Sequence, residues 1–240
     1  MSAGSVIVFD TETTGRVDPQ IIEAAWIVVS DIDAGDGSFS SISRFAAGYR
    51  PDKPIELGAM ATHGIIEDDL TGCAPHTDFK LPDGVDIIIG HNIDYDWEAA
   101  GKPDVRRICT LALARKLWPD LDSHTQSALL YHLHDHRIAR ALCKNAHSAE
   151  ADVENLTRVL AEIVRKTHAT SWDHLYEISE AARIPDTMPF GKHKGVPIAE
   201  VPRDYMVWLM KQENADPYVI QAFKNTIAPA VKPRQGTLRC

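Results

Sequence analysis

Val6, Ile7, Val8 and Phe9 make an unbroken run of β-branched and aromatic residues without polar alternation, the pattern of a central strand covered on both faces. VDIIIG over 85–90 predicts a second buried strand. Between the two, IIEAAWIVVSDI (21–32) and SFSSISRFAAGY (38–49) read as a strand pair turning through AGDG, and ELGAMATHGI (56–65) as a short helix running into a loop. Helical patterns follow from about Ile93 to Ala100, over LALARKLW up to Pro119, and across roughly 124–134, with VRRICT leading into the second of them. From Asp152 to about Thr167, Val153, Leu156, Val159, Leu160 and Ile163 form the apolar face of a long amphipathic helix. Strands first, then strands alternating with helices, predict an α/β domain with a mixed sheet flanked by helices.

That domain is expected to fill residues 1–170, followed by a helix and a Pro-punctuated linker, IPDTMP, within 171–187. A small module over 188–240 opens on FGKHKG (190–195), turns helical from Tyr205 and closes on a frayed tail, KPRQGTLRC. Two readings of it stand side by side: a Gly-bounded turn, Gly191 to Gly195, that offers Lys192 and Lys194 to phosphates, or a small apolar module built on Phe190, Tyr205, Trp208 and Leu209 that packs on the main domain or docks a protein. Charge separates the two parts: residues 1–182 hold 16 Lys/Arg against 29 Asp/Glu, net −13, while residues 183–240 hold 9 against 5, net +4. The overall charge of −9 is not that of a protein gripping long nucleic acid. With 44% hydrophobic and 25% charged residues the chain reads as soluble and globular. No apolar run approaches the roughly 18–20 residues that span a bilayer. The first strand begins too soon for a secretory signal. Cys73, Cys109, Cys143 and Cys240 are scattered without a CxxC pair, which predicts free thiols in a reducing, cytoplasmic setting and argues against a zinc ribbon.

The candidate chemistry sits where these elements end. Asp10 and Glu12 follow the first strand two residues apart, so their side chains project together. Paired carboxylates that close repel unless one is protonated or a cation lies between them; solvated loop acids account for the pair equally well on these residues alone. In GHNIDYDW (90–97), Asn92 is placed to cap the next helix and Asp96 lies four residues on, over the same face. Asp94 is an extra acid with the look of an exposed helix residue. In AHSAEADVENL (146–156), Ser148 is a natural N-cap, His147 lies just outside the helix with freedom to swing, Asp152 is about one turn inside, and the small Ala149 leaves room for a ligand backbone. HLHDH (132–136) superficially suggests a metal, but alternate residues of a helix do not share a face. Asp10, Glu12, Asp96 and Asp152 together offer all-oxygen ligands, which suit Mg²⁺ or Mn²⁺, in the number that holds two ions for phosphoryl transfer.

D-x-E-T-T-G (10–15), N-x-x-x-D (92–96) and H-x-A-x-x-D (147–152), in that order, resemble the three motifs of the DEDDh 3′→5′ exonucleases. The resemblance covers about residues 4–168, and the Ser at position 148 sets the chain apart from the sister branch, which carries a tyrosine there. ATHGI (61–65), ICTLALARKLWP (108–119) and FGKHKG are similar to the exonuclease X-like bacterial DNA exonucleases of that family. The resemblance implies an RNase H-like fold and two Mg²⁺ ions, with Mn²⁺ able to substitute and no nucleotide cofactor. Asp10 would bridge both ions, Glu12 and Asp152 complete one site, Asp96 hold the other partly through water, and His147 act as general base. Backbone groups around Thr11 to Thr13 would contact the 3′-terminal nucleotide, and His63 and Asn92 would line its pocket, with a structural role for His63 as the other reading. The implied partner is a DNA 3′ end, single-stranded or duplex, with RNA as the alternative because the metal chemistry does not read the sugar. Gripping only a few terminal nucleotides needs few phosphate contacts, which reconciles the acidic body with such a substrate.

Two other readings compete. A phosphatase of the haloacid dehalogenase type also opens with an acid at a strand end, but it needs D-x-D, and here the second acid is Glu12 and the histidine motif is left unexplained. A non-catalytic interaction or proofreading-accessory protein on the same fold would have no need of all four acids and the histidine.

Overall fold

A computed structural model describes residues 4–227; Cys240, the KPRQGTLRC tail and its three cations Lys232, Arg234 and Arg239 lie outside them. The described residues form two compact units that divide between Glu180 and Ala181. In chain order the first contains β1 (Ser5–Thr13), β2 (Ile21–Val29), β3 (Ser41–Arg50), α1 (Leu57–His63), β4 (Ala74–Pro75), β5 (Val85–Gly90), α2 (Asp94–Ala99), β6 (Arg106–Cys109), α3 (Thr110–Leu117), α4 (Gln126–Leu133), α5 (His136–Leu142), α6 (Ala149–Thr167) and most of α7 (Trp172–Arg183). The strands make one mixed sheet in the order β4-β3-β2-β1-β5-β6.

β1 is central because its apolar run can be covered on both faces: Ile7, Val8 and Phe9 have no exposed surface, nor do Ile88 and Ile89 of the parallel β5 beside it. The pairing of β1 with β5 ends at Val8↔Ile89, whereas its antiparallel pairing with β2 runs on to Thr13↔Ile21. β1 therefore projects past its parallel neighbour, and Asp10 to Thr13 stand at the carboxyl edge of the parallel strands, where α/β sheets open a crevice. α6 packs on β1 and β2 through Val153, Leu156, Val159, Leu160, Ile163 and Val164, all buried, as the helical spacing predicts.

Other expectations shift. β3 is shorter than 38–49 predicts, and its residues 41–46 are exposed. VRRICT conceals the edge strand β6, whose Arg106 is ion-paired to Asp86 and Asp173. α5 was not anticipated; α4 stops at Leu133, so His132 and His136 of HLHDH fall on different helices. Among the described residues Cys73, Cys109 and Cys143 are free thiols, and no helix is long and apolar enough to cross a membrane.

The second unit continues with α8 (Arg203–Leu209) and α9 (Pro217–Ile227). Its core is Met188, Ile198, Val201, Met206, Leu209, Val219, Ala222 and Phe223. Of the four residues on which the apolar-module reading rests, Leu209 is buried and Tyr205 partly so, whereas Phe190 and Trp208 are 38% and 53% exposed.

Candidate active site and metal centre

The carboxylates converge from three elements. Asp10 and Glu12 come from the projecting end of β1, Asp96 from α2, which follows β5, and Asp152 from the first turns of α6. Gly15, which closes the first motif, has φ +154, and a side chain there would run into the Glu56 carboxylate; the turn needs glycine.

Asp96 is buried and held from one side: its Oδ1 accepts the Thr11 N–H at 3.0 Å and the Thr11 hydroxyl at 2.8 Å. Thr11 thus spends its N–H and its hydroxyl proton on Asp96, while the hydroxyl oxygen keeps lone pairs and the residue lines the cleft. Asn92 does not cap α2. It adopts a left-handed φ of +70, the N-cap position falls on Ile93 without any side-chain bond, and the Asn92 carbonyl accepts from the Tyr95 N–H. Asp94 is half-exposed and ion-paired to Arg107 at 2.6 Å.

Asp152 is held at both oxygens. Its Oδ2 accepts the His147 N–H at 3.0 Å, and its Oδ1 accepts the Gln126 side-chain amide at 3.1 Å. A carboxylate has lone pairs to spare after both bonds. His147 is exposed at φ +69, with its ring close enough that one donor atom each of Glu12, His147 and Asp152 lie within 4.8 Å of one another. Ser148 is at the N-cap but its side chain caps nothing. Glu23 does that job, its Oε2 accepting the Ala149 N–H at 2.7 Å. Ala149 is fully buried, so its small size serves packing, not a ligand's approach.

Glu23, Gln126 and Tyr95 were missed in the sequence. Glu23 had a signal, a single acid inside the apolar run of β2, directly opposite Glu12 in the sheet register. Tyr95 donates to the Gly15 carbonyl at 2.9 Å and also bonds the Thr13 hydroxyl. The segment leading into α4, which opens on Gln126, is anchored by His91, whose Nε2 donates to the His124 carbonyl at 2.8 Å; burial pushes this histidine down to about 4, so it is neutral.

The cluster is electrostatically strained as it stands. Burial, then Asp96, Asp152, Glu12 and Glu23, raise Asp10 well above the ordinary carboxylate range. Burial, then Asp152, Glu23 and Asp96, raise Glu12 to about 8. Asp96 is raised chiefly by burial against the opposing Thr11 bonds, and Asp152 by burial against the favourable His147 N–H. Acids raised in the folded state bind protons that the unfolded chain releases, so the metal-free fold loses stability as pH rises from about 4.5 towards 8. A bound cation removes that penalty. The gap in unfolding temperature between protein in saturating Mn²⁺ and protein in EDTA is therefore expected to widen from pH 5 to pH 8. A constant or narrowing gap would contradict the site.

Two clefts share Thr11, Glu12, Asn92 and Tyr95 along their walls. One, about 930 Å³, also contains Asp10, Asp96, Asp152, His147 and Gln126. The other, about 730 Å³, contains Thr13, Arg16 and His63. His63 has both ring nitrogens engaged, Nδ1 accepting from the Ile65 N–H at 3.0 Å and Nε2 facing the Thr13 carbonyl at 3.3 Å. Lys192 and Lys194 belong to the second unit.

A mixed sheet whose central strand delivers an acid pair, met by carboxylates from the helix after the next parallel strand and from the helix that covers the sheet, defines an RNase H-like nuclease fold. The chain is 26% identical over 207 residues to Exodeoxyribonuclease 10 of Escherichia coli (strain K12), covering 84% of this chain and 89% of that one. It is 31% identical over 137 residues to the PolC-type DNA polymerase III of Listeria welshimeri, in 51% of this chain and 9% of that much longer one. Its structure matches that of exonuclease X in complex with 5′ overhanging duplex DNA, with a TM-score of 0.56 and 26% identity over 72% of this chain and 99% of the other. A zinc-bound complex of E. coli ExoI with ssDNA, at 19% identity, shares the fold with a TM-score of 0.53 over 74% of this chain and 43% of that one. Residues 177–217 match the family described as "Putative quorum-sensing-regulated virulence factor". The homology to Exodeoxyribonuclease 10 and the structural match to exonuclease X indicate a DEDDh-type 3′→5′ exonuclease.

Proposed function

We propose that this chain hydrolyses nucleotides one at a time from DNA 3′ ends and releases nucleoside 5′-monophosphates, using two divalent ions, Mg²⁺ or Mn²⁺, held by Asp10, Glu12, Asp96 and Asp152. The observation that carries the reading is the convergence of four carboxylates on one cleft, Asp96 buried and Asp10, Glu12 and Asp152 half-buried. A donor set of that charge and all-oxygen chemistry fits hard cations. Ions bound there would stabilise charge on the attacking and leaving oxygens of a phosphodiester.

The protein's own groups have distinct tasks in this reading. Asp10, on the central strand and coupled to every other acid of the set, is the shared ligand. Thr11 fixes the orientation of Asp96, and Gln126 together with the His147 N–H fixes that of Asp152. The His147 ring takes the proton of the attacking water. Thr13, His63 and Asn92 shape the adjoining cleft for the terminal nucleotide; with both ring nitrogens engaged, His63 contributes shape and not a proton.

DNA is the proposed polymer because the relatives of similar length are named as deoxyribonucleases or are bound to duplex DNA. The test is digestion of matched 3′-terminated DNA and RNA strands in Mg²⁺ with chromatography of the products. Release of 5′-mononucleotides, faster from DNA, is expected. Products ending in 3′-phosphates would overturn the reaction, and faster hydrolysis of RNA would overturn the choice of polymer.

A further inference from the structure

The second unit carries its aromatic residues on the outside. The His193 and Tyr205 rings pack edge to face with centroids 4.5 Å apart, and Tyr205 packs on Trp208 at 5.4 Å, making one continuous aromatic strip. Its far end is open, since Trp208 is 53% exposed while its helix neighbours Met206 and Leu209 fill the core. A half-exposed tryptophan in line with other rings is not required for packing here, and such a strip is the usual mark of a binding surface.

The FGKHKG turn places cations at this strip. Gly191 has φ +72, and a side chain at that position would press on the Tyr205 hydroxyl at 3.0 Å, so glycine lets the turn close over the ring. His193 is thereby set against Tyr205, with the exposed Lys192 and Lys194 on either side of it in the chain. The backbone of the turn is largely spent: the N–H groups of Lys194, Gly195 and Val196 donate to Gly191, Met188 and His193. A phosphate would therefore meet the ammonium groups and not these amides. Lys211, exposed three residues beyond Trp208, adds a third cation, and Asp204 is the acid on the same short helix.

We infer that this aromatic and basic face binds single-stranded nucleic acid, bases stacking on Trp208 and the strip behind it while Lys192 and Lys194 take phosphates. Flat rings accept any base face, and lysines beside them neutralise the backbone without reading sequence. The inference deepens the proposed function and rests on it for the choice of nucleic acid over a protein partner. A strand held here would compensate for an exonuclease body whose own charge is strongly acidic.

The test is fluorescence anisotropy of labelled 15-mer oligodeoxyuridylate and oligouridylate with the full chain in EDTA, across a salt series. Trp208→Ala is expected to weaken binding about tenfold, within the range of about 5- to 150-fold that loss of one stacked base produces. Trp208→Phe should recover most of the affinity, which guards against a folding defect. An abasic strand of equal length, which keeps the phosphates but has nothing to stack, should bind wild type and Trp208→Ala alike. Lys192→Ala with Lys194→Ala should reduce the log–log salt slope by about 1.4, at about 0.7 per phosphate contact on single strands. A loss confined to one of the two oligonucleotides would identify the sugar that the face prefers. Equal affinity and slope in all variants would overturn the inference and leave the strip as a surface for another protein. Digestion of the same oligonucleotides by wild type in Mg²⁺ separates this failure from failure of the nuclease reading.

Discussion

Asp10→Ala is expected to abolish nearly all nuclease activity, a loss of at least about 10³-fold, the scale on which removing one member of a unit that acts together disables the whole. Asp10 lies on the central strand, and its carboxylate feels Asp96, Asp152, Glu12 and Glu23 at once; no other acid of the set is placed to substitute for it. The loss should not come from unfolding. Without metal, Asp10 is a desolvated acid crowded by like charges, so Asp10→Ala should unfold in EDTA at the same temperature as wild type or higher. Activity is read on a labelled strand and stability by thermal unfolding of the same preparation. Retention of a tenth of the activity, or collapse of the fold in EDTA, would remove Asp10 from the role of shared ligand.

His147→Ala is expected to slow turnover by about 10²–10⁴-fold, the usual contribution of one general base, while Mn²⁺ binding by calorimetry stays close to wild type. The separation is possible because the bond from residue 147 to Asp152 comes from the backbone N–H, which alanine keeps. It matters because the His147 ring is also close enough to Glu12 and Asp152 to serve as a ligand itself. A variant with greatly weakened Mn²⁺ affinity would make His147 a ligand, and one retaining more than a tenth of the wild-type rate would end the general-base assignment.

The parts of this molecule that were legible in the sequence are those set by periodicity and by motif. β1, β5 and α6 follow from unbroken apolar runs and a 3.6-residue stripe because burial on two faces or one leaves little choice. β6 was not legible: an edge strand of four residues beginning with two arginines carries no apolar pattern, and its place is set by ion pairs to Asp86 and Asp173. The acids of the site were legible as strand-end and helix-start residues, but the groups that hold them were not. Capping of α6 looked like the work of Ser148, yet tertiary contact gives it to Glu23, 126 residues away in the chain. The family resemblance offers Thr11 as a substrate contact, and only the fold shows its N–H and hydroxyl proton turned to Asp96. The sequence leaves the place of Trp208 open, because nothing in a seven-residue helix distinguishes its inner face from its outer one until the partner elements are known.

The central claim is that four carboxylates converging on one cleft are a metal site for hydrolysis from the 3′ end. It is tested most directly by following a 5′-labelled DNA strand with wild-type protein in Mg²⁺, in EDTA, and in EDTA followed by excess Mn²⁺. The account requires a ladder that shortens from the 3′ end in Mg²⁺, an intact strand in EDTA and a restored ladder with Mn²⁺. Full activity in EDTA, or no shortening of any 3′ end with either metal, would contradict it.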